Sequence, residues 1–330
     1  MALRLLSHIE LPAHRSNGGF DHADIHPPTD RLYVAHTSND SIDVIDCARD
    51  QYIESIPGLT AVAGALVSET RDLVFTSNRG ENTVSVFAPC DEQRKLHGGG
   101  NIGSGTERPI HAKMPFSCRV MRFAPHPRRR GEIFAVLEVS GVMRSTDGGE
   151  SWSDCSANLL RLAEAEPRLR SKLVSDTEAE GMLDGHAVCT SSADPDSIII
   201  AVRMGLFRSK DQGKTWQDMR VDRFSPFTYG RDIKVSPQDP NTLYACLSVA
   251  ASSKDGALYR SQDVGKTWQR FDKVTPHGTL MSVGLHHSDA KQVYVAARYG
   301  EVFGTQDGGE SWLEMPLPQG VQHIYALACG

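Results

Sequence analysis

The stretch RSTDGGESW, Arg144 to Trp152, returns three times along the chain: as RSKDQGKTW from Arg208, RSQDVGKTW from Arg260 and GTQDGGESW from Gly304. Asp147, Asp211, Asp263 and Asp307 mark the copies and lie 64, 52 and 44 residues apart. Before each copy come short alternating apolar runs separated by turn residues, as in DIKVSPQDPNTLYACL, and a further strand is expected to begin at each Trp. Within the motif every residue type has a mechanical task. Ser209 and Asp211 can hydrogen-bond the amides of a tight turn, Gly213 supplies a positive φ, and Trp216 buries a large ring. All four tryptophans of the chain stand at this one position, which is the mark of a packing device. Four carboxylates facing outward cannot converge on one substrate, so the motif reads as structural.

The first third carries a related repeat. HPPTDRLYVAHTSNDSIDVID, from His26, aligns strand for strand with VSETRDLVFTSNRGENTVSVFA, from Val67. Repeated four-stranded units of about 40 residues specify a β-propeller. This first third resembles the YVTN-type propeller repeat. The remainder resembles the BNR or Asp-box repeat, S/T-x-D-x-G-x-S/T-W, of sialidases, sortilin-type receptors, xyloglucanases and photosystem II assembly factors. The resemblance implies an all-β fold in one domain over residues 1–330. Residues 1–96 would form YVTN-like blades, 117–318 Asp-box blades and 319–330 a closing strand. Six blades are recognisable. LRLLSHIEL and HIYALACG are expected to meet as a seventh, abbreviated sector, so seven is the favoured count. The insertion at 156–184 reads as one or two short helices, with Ser156 as cap and Pro167 as break, forming either a lid or a decorated connection.

Composition sets the outer bounds. A net charge of −6 argues against general nucleic-acid binding, and HPRRR at His126–Arg130 is a short solvated turn. The start, MALRLLSHIELPAHR, lacks the pattern of a signal peptide, and no run approaches the about 18 apolar residues of a membrane span. Seven cysteines without a CxxC pair read as scattered thiols. The expectation is a cytoplasmic protein. The glycine-rich HGGGNIGSG from His97 reads as a flexible connection, because it lacks the strand and helix of a phosphate loop.

Long insertions fall in the loops of one face of the ring, and function on a repeat scaffold sits where loops vary. Aligning first strands puts Arg119, His186, Arg231 and Met281 in register. His323 comes from the C-terminal segment and Asp21 or His22 from the first blade, while the second blade offers only Ala63. Second-strand ends add Arg203, Arg298 and Glu138, with Tyr229 and Tyr299 beside them. His286 and His287 fall at the opposite end of a strand and are set aside. Imidazoles of His22, His186 and His323 converging on the axis would suit a divalent metal such as Zn, Mn or Fe. The arginines suit a carboxylate or phosphate. His186, His22, His323 and Glu138 are therefore the candidate catalytic groups. Arg119, Arg203, Arg231, Arg298, Tyr229 and Tyr299 are the candidate substrate contacts.

Three functional classes follow. The first is an enzyme hydrolysing a small anionic ester, lactone or phosphoester, with or without a metal. A second is a non-catalytic scaffold that holds a protein partner on its arginine-rich face. A sialidase-like glycosidase is the third; its family uses an arginine triad, a Tyr–Glu nucleophile pair and an acid Asp. The arginine-isoleucine-proline signature that opens sialidase domains is missing here, where CRVMRF stands instead.

Overall fold

Six four-stranded antiparallel sheets follow one another along the chain in the computed structural model, each built from one contiguous stretch. The structure describes residues 7–68, 72–81, 83–89, 91–97, 119–173, 178–317, 321 and 323–329. Blade 1 comprises β1 (Phe20–His26), β2 (Arg31–His36), β3 (Ser41–Asp46) and β4 (Gln51–Ile56). Blade 2 comprises β5 (Val62–Ser68), β6 (Leu73–Asn78), β7 (Thr83–Ala88) and β8 (Asp91–His97). Blade 3 holds β9 (Arg119–Pro125), β10 (Ile133–Glu138), β11 (Gly141–Ser145) and β12 (Ser153–Asp154), and blade 4 holds β13 (Gly185–Ser191), β14 (Asp194–Val202), β15 (Gly205–Ser209) and β16 (Gln217–Asp218). Blade 5 runs through β17 (Tyr229–Val235), β18 (Leu243–Ser248), β19 (Gly256–Ser261) and β20 (Gln269–Arg270). Blade 6 closes the series with β21 (Leu280–Leu285), β22 (Val293–Ala297), β23 (Val302–Thr305) and β24 (Leu313–Glu314).

The expected seventh sector does not form. Among the described residues the N-terminal segment before Phe20 and the C-terminal segment after Glu314 contain no strand. The ring therefore has six blades. The physical reason lies in the C-terminal residues: Ile324 and Leu327 spend their apolar side chains covering blade 6, around Ala296, Val302 and Met315, and build no ladder of their own.

Apolar clusters join the blades in pairs. Tyr33, Ile42 and Val44 of blade 1 pack with Val62 and Phe87 of blade 2, and Phe75 with Phe123 between blades 2 and 3. Similar clusters link blade 3 to 4, 4 to 5 and 5 to 6. Central strands with both faces buried read as near-continuous apolar runs, such as Ile198 to Val202, instead of alternating ones.

The repeated motif forms the same hydrogen-bond cage four times. In the second copy the Thr215 amide donates to Asp211 Oδ1 at 2.8 Å and the Thr215 hydroxyl to Oδ2 at 2.6 Å. Ser209 Oγ donates to Asp211 Oδ1 and accepts from the Gly213 amide, both at 2.8 Å. Gly213 has φ 87°, a conformation that a Cβ resists. Trp216, 3% exposed, donates its indole N–H to Cys155 O on the preceding blade at 2.8 Å and belongs to the cluster between blades 3 and 4. Trp152 instead bonds Gly149 O within its own turn.

The insertion is helical, as expected, with α1 at Ala157–Ala165, a 3-10 turn at Pro167–Leu169 and α2 at Glu180–Leu183. Ser156 does not cap α1; its hydroxyl accepts from the Val142 amide at 2.9 Å, fastening the insertion to β11. Leu159, Ala163, Leu169 and Met182 pack onto blades 3 and 4. The glycine-rich stretch after His97 lies outside the described residues.

Two outcomes follow. Trp216→Ala should cost about 3–5 kcal/mol through a buried cavity, whereas the half-buried Trp152→Ala should cost less; paired thermal melts decide. The turn carboxylates should also set the acid limb of stability. Burial works against ionisation of Asp263, yet the Thr267 hydroxyl and amide and the Ser261 hydroxyl outweigh it and hold the pKa at about 2. A depressed folded pKa stabilises above the unfolded value near about 4 and loses that contribution as pH falls through about 2. Melting temperature should therefore fall steeply between those limits, and Asp263→Asn should flatten the slope.

Candidate functional site

Every blade breaks register at the same place. The ladder between first and second strand skips Asp21 and His22 in blade 1, Ala63 in blade 2 and Met121 in blade 3. It skips His186, Arg231 and Met281 in blades 4, 5 and 6. A bulge releases one residue from pairing and re-aims its side chain. All of these residues except Ala63 line one cavity of about 700 Å³ at the channel mouth, a size suited to a small ligand. Second-strand ends Glu138, Arg203 and Arg298 complete the wall, together with Asp184 and Tyr229.

Blades 4 and 5 build one connected line of polar groups. His186 Nδ1 lies 2.6 Å from Gly230 O. A carbonyl only accepts, so Nδ1 carries the proton and Nε2 accepts from the Tyr229 hydroxyl at 3.1 Å. Asp184 Oδ2 sits 3.4 Å from the same Nε2 and 2.9 Å from Arg203 Nε. Burial opposes the Asp184 charge, but the neighbouring His186 and the Arg203 guanidinium more than offset it and keep its pKa low. For Tyr229, burial dominates and raises the pKa, so the hydroxyl stays protonated. The Arg203 guanidinium lies over the Tyr229 ring at 5.4 Å.

Across the mouth, His22 Nδ1 donates to Asp21 Oδ1 at 2.7 Å and approaches Ala63 O at 3.1 Å. Burial first, then the Arg122 charge, lowers its pKa, leaving a neutral ring with Nε2 as its acceptor. Arg231 differs from its neighbours. Among the described residues it has no hydrogen bond or ion pair, and its Nε is buried without a partner. Arg298 donates to Ala251 O at 2.8 Å and pairs with no carboxylate among the described residues.

Most of the sequence-derived set thus meets in one place: His22, His186, Glu138, Arg203, Arg231, Arg298 and Tyr229 all line the cavity. Three do not. Arg119 opens β9 opposite Glu138, its side chain lies outside the described set, and Met121 holds the position expected for it. Tyr299 turns onto Ser252, 2.5 Å between hydroxyls, and His323 stands outside the lining. The described residues contain no group of three His, Cys, Asp or Glu arranged to hold a metal ion.

Sequence reasoning overlooked Asp184 and Tyr325. Asp184 precedes β13 by one residue, and its acidity two positions before His186 was the available signal; Tyr325 carried none. It also missed a polar chain beside the cavity on blade 1. There the buried Asp43 accepts from His36 Nδ1 at 2.7 Å, and His36 Nε2 meets His14 Nδ1 at 2.8 Å. Blade 2 places neutral Asn78 and Ser85 at the equivalent positions, also 2.8 Å apart.

With this geometry in place, likeness to known proteins narrows the field. Residues 256–328 match the Sortilin-Vps10 family, described as Sortilin, neurotensin receptor 3. The chain is 26% identical over 201 residues to the xyloglucanase Xgh74A of Acetivibrio thermocellus, which covers 53% of this chain and 21% of that protein. It is 24% identical over 226 residues to a xyloglucanase of Paenibacillus sp, covering 56% and 20%. The chain thus spans about a fifth of the length of these curated relatives. Among solved structures, a GH74 enzyme of Niastella koreensis superposes with a TM-score of 0.63 at 14% identity, covering 92% of this chain and 46% of its own. The GH74 xyloglucanase of Xanthomonas campestris gives 0.62 at 15%, with the same coverage. At such identities the likeness is one of propeller fold.

Removing the shared carboxylate tests the blade 4 network. Asp184→Ala leaves Arg203 without its counter-charge, and the expected loss is about 3 kcal/mol, measured by denaturant unfolding. An unchanged midpoint would mean that the network contributes nothing to stability.

Proposed function

We propose that the chain is a hydrolase of the glycosidase type and that its reaction takes place in the mouth cavity. The observation that carries this reading is the Tyr229–His186–Asp184 line beside Glu138. It pairs a nucleophile with a base whose tautomer Gly230 O fixes through Nδ1, with a carboxyl group at hand for the leaving oxygen. The xyloglucanase relatives support the same class.

Each group then has a task. Tyr229 Oη attacks the anomeric carbon as its proton passes to His186 Nε2, and the imidazolium formed is stabilised by Asp184. The glycosidic C–O bond breaks, and Glu138 protonates the leaving oxygen. Water then attacks the glycosyl–tyrosine, giving its proton to the Glu138 carboxylate, and His186 returns a proton to Tyr229. Arg231 and Arg298 hold substrate oxygens by charge-assisted hydrogen bonds. No step passes through a metal, because His186 engages both ring nitrogens with protein groups and His323 stands apart.

A second reading, hydrolysis of an anionic ester or phosphoester, is favoured by the Asp21–His22 pair. With Nδ1–H fixed by Asp21, the His22 Nε2 lone pair can activate water, and Arg231 supplies the anion contact.

Turnover of nitrophenyl glycosides and xyloglucan oligosaccharides, set against nitrophenyl esters and phosphates, separates the two. On glycosides, Tyr229→Phe and His186→Ala should each lower kcat by about 10²-fold or more, with the fold intact. Loss confined to esters and to His22→Ala would move the site to the second reading. Full activity in His186→Ala and Arg231→Ala together would remove the enzyme reading in favour of a scaffold.

A further inference from the structure

The junction between blade 6 and blade 1 is unlike the other five. Among the described residues, apolar clusters bridge every other neighbouring pair of blades. The sixth cluster instead joins blade 6 to Leu317, Ile324 and Leu327 of the C-terminal segment. That segment lies flat on β21: a Cβ on Gly284 would meet Leu327 at 3.1 Å and Cys329 at 3.4 Å. Its upper end is pinned at the mouth, where the Ile324 amide donates to Arg298 O at 3.1 Å. His323, at φ 60°, makes the turn that delivers the next residues.

What this delivers is an aromatic ring. Tyr325 lines the cavity, and the Arg298 guanidinium covers its ring at 5.4 Å from the centroid. On the blade 1 side of the same junction stands Phe20, also in the lining. Phe20 is 43% exposed and Tyr325 39%, whereas Tyr229, the remaining aromatic of the wall, is buried. Phe20 is held in orientation by the His36 and His14 rings, at centroid distances of 4.3 and 5.2 Å. Two aromatic rings open to solvent in one cavity offer apolar faces to a ligand.

We propose that the C-terminal segment is part of the ligand site, and that Tyr325 and Phe20 form an aromatic platform for the apolar C–H face of a sugar ring. The inference rests on the glycosidase reading and names what that reading leaves open. The substrate is a glycan whose non-reacting ring stacks at the blade 6–blade 1 junction while its reacting ring lies against blades 3 to 5. Aromatic faces suit this task because they offer wide, rigid apolar contact with few torsions to freeze.

The test is calorimetric binding of xyloglucan oligosaccharides, alongside their hydrolysis. Tyr325→Ala and Phe20→Ala should each raise Kd and KM about tenfold with kcat little changed, whereas Tyr325→Phe should stay within about twofold of wild type. Thermal melts check that each variant is folded, with Leu313→Ala, an exposed outer-strand change, as the unaffected control. Hydrolysis by wild type with Tyr325→Ala and Phe20→Ala both unimpaired overturns the platform and leaves the glycosidase reading standing. Glycan binding that depends on Tyr325 without hydrolysis supports the platform and removes the glycosidase reading. Wild type that neither binds nor cleaves any glycan overturns both.

Discussion

Each blade of this protein is apolar on both faces, and neither face can be left in water. A single twisted sheet has only one partner to offer it, whereas a ring gives every sheet two. That requirement explains the fully buried runs Ile198–Val202 and Leu243–Leu247 and the clusters between successive blades. It also explains the junction at which it is not met by a blade. There the apolar side chains of the C-terminal segment substitute, so closure depends on Ile324 and Leu327 rather than on a seventh sheet.

The cavity follows from a defect common to the ladders. A perfect ladder would direct first-strand residues alternately into the two sheet faces, where the apolar clusters lie. The bulge at the mouth end of every first strand takes one residue, in blade 1 two, out of that alternation. His186, Arg231 and Met281 escape the blade interior this way. Charged groups can then gather on the axis without being buried between sheets, where an unpaired ion would be prohibitive. Asp184 and Arg203 satisfy each other, and Arg231 is left for a ligand.

Much of this was legible from residues alone. The repeated Ser–x–Asp–x–Gly–x–Ser/Thr–Trp turn set the unit, the strand order and the face that carries the long loops. Matching the units against one another placed His22, His186, Arg231, Arg203 and Arg298 in one ring, and the cavity contains them all. Arg119 opens β9 two residues before Met121, which holds the bulge position of blade 3. The bulge in blade 3 falls on Met121, as it falls on His186, Arg231 and Met281 in the blades that follow.

The sequence by itself determined the local elements, because turn chemistry and apolar periodicity act over a few residues and recur in every copy. Only the tertiary structure decided the blade count, the closing role of the C-terminal segment and the pairing of Asp184 with Arg203. These depend on contacts between residues far apart in the chain. Ile324 and Leu327 read as a strand until blade 6 is present to be covered. Tyr325 reads as an ordinary aromatic until Arg298 and the cavity lie beside it.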